Sequence, residues 1–267
     1  MQLLVLGMHR SGTSMVTRLL NLMGASLGPQ EYIIAPDTRN PAGYWERADV
    51  FGVNEELLRA AGTSWDRPEG FDPAAVPGEA LRMFRERARA IIANLEPFRT
   101  WVMKDPRLSI LFPLWRPMLE SPLCVVTFRN PLDVARSLEH RDGFLLERGL
   151  ALWERYMTAA LAATADVPRV LVSYEETLAQ PATAPRRLLT DLVSRGARDL
   201  RWPDAGSPMD VVQAGLCHHH ASAQDTMRML TGPQRELYAL LCEGAAVSGR
   251  PNRTRGACPS RETDMRS

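Results

Sequence analysis

Arg10, Ser11, Thr13 and Ser14 crowd one short loop bounded by Gly7 and Gly12. One guanidinium, three hydroxyls and a glycine-loosened backbone suit the binding of an anion. The two glycines permit backbone angles that a side chain would forbid. Before the loop, Leu3-Leu4-Val5-Leu6 is a short apolar run that predicts a buried strand. After it, Met15, Val16, Leu19, Leu20 and Met23 recur at helical spacing. A strand, a tight loop and a helix start aim several backbone N–H groups at one spot, at the positive end of a helix dipole. Such a spot usually takes a phosphate.

The departure from the nucleotide-hydrolase pattern is informative. That pattern is G-x-x-x-x-G-K-[ST]. Gly7, Gly12 and Ser14 keep their places here, but Thr13 stands where the phosphate-gripping lysine belongs. The positive charge sits instead at Arg10, whose guanidinium can fork two phosphate oxygens.

Three further apolar runs end on polar residues. Trp101-Val102-Met103 leads to Lys104 and stops at Asp105-Pro106. Leu123 to Phe128 leads to Arg129, and Asn130-Pro131 then opens a helix carrying Arg136 and Ser137. Arg169 to Ser173 leads to Tyr174. Helical patterns lie between these runs, at about Val50 to Ala61, Gly78 to Leu95, Leu108 to Leu119 (short and amphipathic), Phe144 to Ala165 and Pro181 to Arg195. Alternating strands and helices predict a single α/β domain with a central parallel sheet flanked by helices. Ligands of such sheets sit at the carboxyl ends of the strands. Arg10, Lys104, Arg129 and Tyr174 are all expected there.

The remaining segments are expected to close around that edge. Asn40-Pro41-Ala42-Gly43 makes a turn that delivers Tyr44, Trp45 and Glu46. Thr63 to Pro77, rich in Pro, Gly and Asp, is expected to be a surface loop or lid. From about Gly244 periodic apolar residues give out, so the reading is a domain over residues 1–243 and a disordered tail over 244–267. No internal repeat or linker stands out. The 267 residues carry a formal net charge of +1, which gives no reason to expect a nucleic-acid polymer as partner. No apolar run approaches a membrane span, and the N-terminus does not read as a signal peptide. Cys124, Cys217, Cys242 and Cys258 lack metal-ligand spacing, and a cytoplasmic setting is expected.

Gly7 to Ser14, Arg129-Asn130-Pro131 with Ser137, and Tyr174-Glu175 together resemble the sulfotransferases that use 3′-phosphoadenosine-5′-phosphosulfate (PAPS). The likeness covers residues 1 to roughly 190. It implies the P-loop-containing nucleotide-hydrolase-like sulfotransferase fold, and a transferase acting on a hydroxyl or amine of a small-molecule, sugar or lipid acceptor. It implies Arg10, Ser11, Gly12, Thr13 and Ser14 for the 5′-phosphosulfate, Arg129 with Ser137 for the 3′-phosphate, and Lys104 as a charge stabiliser. No metal is implied. Sulfuryl transfer, like phosphoryl transfer, asks for positioning and charge stabilisation.

The acceptor hydroxyl needs a base. Glu46 is the expected one, with Tyr44 and Trp45 as an acceptor wall. Glu31, Asp49, Asp105 and His9 are reserves, and His140 and Arg141 flank the expected 3′-phosphate helix. The run His218-His219-His220 is read as a loop, because three consecutive side chains cannot easily reach one ion. The competing functions are a P-loop nucleotide kinase or nucleoside triphosphatase, which wants the missing lysine and magnesium, and a nucleotide-binding module without catalysis.

Overall fold

A computed structural model describes residues 1–38, 40, 42–204, 207–214 and 221–248. At its centre is a parallel four-stranded sheet: β1 (Gln2–Leu6), β2 (Trp101–Lys104), β3 (Pro122–Phe128) and β4 (Arg169–Ser173), in the order β2-β1-β3-β4. Pairing is in register from Gln2 opposite Trp101 and Pro122, and from Cys124 opposite Arg169.

The sheet is covered on both faces, which is why its central strands β1 and β3 are buried along their whole length, while the edge strand β4 alternates. Leu3, Val5, Val102, Leu123, Val125, Val170 and Val172 pack with α1 (Thr13–Leu22) and α8 (Ala184–Ser194). Leu4, Leu6, Met103, Cys124, Val126 and Phe128 face the other layer. That layer holds α2 (Ala48–Ala60), α3 (Gly78–Leu95), α4 (Leu108–Trp115) and α6 (Leu146–Ala163). Burial of α4 extends almost all round, so the amphipathic segment expected there is in fact a core helix. The chain is completed by α5 (Pro131–Asp142), α7 (Tyr174–Ala179), α9 (Pro208–Ala214), α10 (Ala223–Met229) and α11 (Gly232–Ser248).

The disordered tail expected from Gly244 is corrected at its start. Helix α11 runs on to Ser248, with Leu241 and Ala245 packed on the core. The rest of that tail, and His218, His219 and His220, lie outside the described residues.

From β1 the chain crosses to one side of the sheet, and from β3 to the other. The carboxyl ends of β1 and β3 therefore flank the switch point where α/β folds open a crevice. The loop from Gly7 to Gly12 stands on one lip and Arg129 on the other.

Candidate active site

Loop and helix meet without slack. Gly7 has φ 147°, and a Cβ there would lie 2.3 Å from the Thr127 carbonyl oxygen. Gly12, at φ 86°, caps α1 in the left-handed region, and a Cβ there would lie 2.3 Å from the Tyr174 ring. Arg10 is also left-handed, at φ 68°, which is costly for a side-chain-bearing residue. Ser109 on α4 fastens the loop from behind: its Oγ accepts from Gly7 N–H at 2.9 Å and donates to Gly7 O at 3.2 Å. No side chain caps α1, so the N–H groups of its first turn keep their capacity to bind an anion.

On the β3 side Arg10 Nε donates to Ser137 Oγ at 2.9 Å, and Arg129 Nη1 donates to Arg10 O at 3.3 Å. The Arg129 guanidinium lies over the Tyr174 ring at 4.8 Å. Burial, then the nearby guanidiniums of Arg141 and Arg129, push Arg10 below its ordinary pKa. Such a concentration of positive charge favours an anion between them. Asn130 caps α5 through its side chain, accepting from Leu132 N–H at 2.9 Å. Its backbone N–H donates to the partly buried Glu175 carboxylate at 2.7 Å, and its amide to Thr226 of α10 at 2.8 Å.

At the β2 end Lys104 Nζ is ion-paired with Glu46 Oε1, and both groups are buried. Lys104 also donates to Ser14 Oγ and to Tyr44 O, each at 3.2 Å. Burial raises the Glu46 pKa, and Asp105 adds to the rise, while Lys104 opposes it. The turn bearing Glu46 is fixed by Ile34 N–H donating to Glu46 O at 2.9 Å and by buried Arg47, paired with Asp49 at 2.6 Å. Trp45, at φ 55°, turns away onto α1, where Arg18 lies over its ring at 4.4 Å. The Tyr44 hydroxyl donates to Asp37 at 2.8 Å.

Among the reserve bases, Asp105 is fully buried and accepts from Asn54 and Arg107 at 3.0 Å each, while Glu55 pairs with Arg107. Asp49 is held by Arg47, and Glu31 is exposed on a 3-10 turn. His9 is different. Its ring stacks on Trp65 at 4.4 Å and meets Tyr156 edge-on at 5.8 Å. Burial, then Arg107, Arg141, Lys104 and Arg10, hold its pKa well below 6.5, so the imidazole is neutral. The Ser109 bond, the Asp105–Arg107–Glu55 cluster and the Asn130–Glu175 contact have no local signal in the sequence. Only the Asn-Pro capping signal at 130–131 hints that this helix start is reinforced.

A glycine loop at a switch point thus faces a second, arginine-bearing strand end across the edge of an α/β sheet. The sequence model of the sulfotransferase family matches residues 2–193, and the chain belongs to that family. A comparison with curated proteins finds no match. Among solved structures the chain is similar to the sulfotransferase domain from the curacin biosynthetic pathway. That match has 15% identity, covers 90% of this chain and 96% of that one, and has a TM-score of 0.47. It is similar also to the sulfotransferase domain of the Synechococcus PCC 7002 olefin synthase, at 16% identity, 89% and 94% coverage and TM-score 0.44. A third is a sulfotransferase from Mycobacterium avium, at 13% identity, 91% and 76% coverage and TM-score 0.45. Among the described residues no group of His, Cys, Asp and Glu is placed to hold a metal ion, and no helix is long and apolar enough to cross a membrane.

Proposed function

We propose that this chain transfers a sulfuryl group from PAPS to an acceptor hydroxyl. The observation that carries this reading is the bond from Arg10 to Ser137, which ties the glycine loop to the α5 serine beside Arg129. Two anion sites thereby adjoin, as a nucleotide phosphorylated at both ends of its ribose requires. The residues also fit the group physically. Ser11 Oγ is buried in the loop with no hydrogen-bond partner among the described residues, and the Gly7 and Gly12 positions have no room for a Cβ.

In this reading Arg10 and residues 11–14 grip the 5′-phosphosulfate, and Arg129 with Ser137 takes the 3′-phosphate. Lys104, next to Ser14, faces charge developing on the bridging oxygen. Glu46 receives the proton of the attacking hydroxyl. A bond forms between the acceptor oxygen and sulfur, the bond from sulfur to the 5′-phosphate oxygen breaks, and adenosine 3′,5′-bisphosphate leaves. Protonation of Glu46 cancels the carboxylate charge against Lys104. The ammonium is then left with its full charge for the departing phosphate. A cytoplasmic setting, as the sequence reading expects, suits such a donor.

Binding of adenosine 3′,5′-bisphosphate, together with transfer of radiolabelled sulfuryl from PAPS to an acceptor panel, tests the proposal. Tighter, magnesium-dependent binding of ATP would replace it with the kinase-like alternative.

A further inference from the structure

Resting on that donor reading, we infer that Glu175 is the positioning residue of the 3′-phosphate site: its carboxylate fixes the peptide that follows Arg129 and so aims the guanidinium.

Arg129 directly follows β3, where the chain leaves the sheet and the ladder stops fixing the backbone. The peptide group joining Arg129 to Asn130 is nevertheless held at both ends. Its carbonyl accepts from Trp153 Nε1 of α6 at 3.1 Å. Its N–H donates to Glu175 Oε1 of α7 at 2.7 Å, across 45 positions of sequence. A planar peptide gripped at both ends cannot turn without breaking one of the two bonds.

The side chain of the same residue is anchored beside that grip. The Arg129 guanidinium lies over the ring of Tyr174, the neighbour of Glu175, at 4.8 Å, and Nη1 donates to Arg10 O at 3.3 Å. The start of α7 therefore touches both the backbone and the guanidinium of Arg129, through two consecutive residues.

A carboxylate in the first turn of a helix ordinarily serves that helix's own N–H groups. Here the cap of α7 is supplied by Ser173, whose Oγ accepts from Glu176 N–H at 3.2 Å. Glu175 Oε1 reaches across to the strand end, and Oε2 accepts from Ser173 Oγ at 3.3 Å. Removing the carboxylate would leave the Asn130 N–H without that partner and free the Arg129 peptide to tilt. A long side chain fixed before its ligand arrives loses less freedom on binding. In the donor reading this advantage belongs to the 3′-phosphate, since the loop from Arg10 to Ser14 grips the 5′ group.

The test is calorimetric titration of the full chain with adenosine 3′,5′-bisphosphate and with adenosine 5′-monophosphate. Glu175→Ala and Glu175→Met remove the acceptor oxygen, while Glu175→Gln keeps one. The two acceptor-free variants are expected to lose about tenfold in bisphosphate affinity, the worth of about one hydrogen bond. Monophosphate affinity should stay as in the unaltered chain, and Glu175→Gln should restore bisphosphate affinity. In an Arg129→Ala background Glu175→Met should cost nothing further, because its effect runs through that guanidinium. If the unaltered chain does not prefer the bisphosphate, the donor reading falls and this inference with it. If it does, and Glu175→Met keeps the preference, the positioning role alone is overturned. Equal loss of both ligands, a Glu175→Gln variant as weak as Glu175→Met, or a full further loss in the Arg129→Ala background overturns that role too. Should Glu175→Ala fail to fold, the comparison of Met with Gln decides.

Discussion

Arg10 Nε donates to Ser137 Oγ at 2.9 Å across 127 positions of sequence, with Arg129 bonded to the Arg10 carbonyl. The loop of β1 and the helix after β3 are thus tied together by direct hydrogen bonds, and in the proposed reading they form one anion cradle. Its two halves should respond to different phosphates of the same nucleotide.

Nucleotide choice checks this directly. Adenosine 3′,5′-bisphosphate is expected to raise the melting temperature without metal, and adenosine 5′-monophosphate to do so much less. Arg129→Ala should weaken bisphosphate binding by about 1.5–3 kcal/mol, the worth of hydrogen bonds to a charged group. Its affinity for the monophosphate should change little. Equal loss for both ligands would remove the 3′-site from Arg129.

The loop makes a second case. Arg10→Ala should lower both donor affinity and turnover, since it takes away the loop's only guanidinium and its link to Ser137. Thr13→Lys installs the lysine of nucleotide hydrolases, yet it is expected to give no ATP hydrolysis. Magnesium-dependent phosphate release by Thr13→Lys would speak for a kinase-like site.

Glu46→Gln keeps size and hydrogen bonding, so bisphosphate binding should survive while transfer falls by about 10²–10⁴-fold, the usual loss of a general base. The pH profile sharpens the point. A base acts unprotonated, so activity should fall as pH drops through the Glu46 pKa, which burial places above 4.5. That acid limb should vanish in Glu46→Gln. A profile that keeps the limb, or a rate loss below about tenfold, assigns the proton to another group.

His9 gives a stability signature. Its folded pKa lies well below 6.5, so below that pH the unfolded chain binds a proton that the folded chain refuses. Stability should therefore be complete above 6.5 and fall as pH drops below it, by up to about 1.4 kcal/mol per pH unit. His9→Phe keeps a ring against Trp65 and should flatten that dependence. Urea unfolding of both proteins at about pH 7.5 and about pH 5.5 measures the difference. Parallel slopes would place the titrating group elsewhere.

The sheet and the loop were legible in the sequence because their signals are local. Four apolar runs, each stopped by a charged, Pro-containing or glycine-bounded turn, mark the strands, and β2 falls on Trp101–Lys104 as read. The positions of Arg10, Lys104, Arg129 and Tyr174 follow from strand ends alone, since a parallel sheet brings its carboxyl ends to one edge. The Asn130-Pro131 capping signal likewise placed the start of α5.

What the sequence could not determine are the pairings made between layers. Ser109 fastening Gly7, Asp105 shared by Asn54 and Arg107, and Trp65 lying on His9 each join groups far apart in the chain. Trp45, expected in an acceptor wall, has Arg18 of α1 over its ring, a contact with no local signal in the sequence. Glu46 was visible as a candidate base, but which cation would pair with it, Arg10 or Lys104, was not. Burial and partner choice depend on how helices pack across the sheet, and packing is a property of surfaces that only the folded chain brings together. The sequence by itself determined which residues stand at the edge of the sheet. The tertiary structure decided which of them pair with one another.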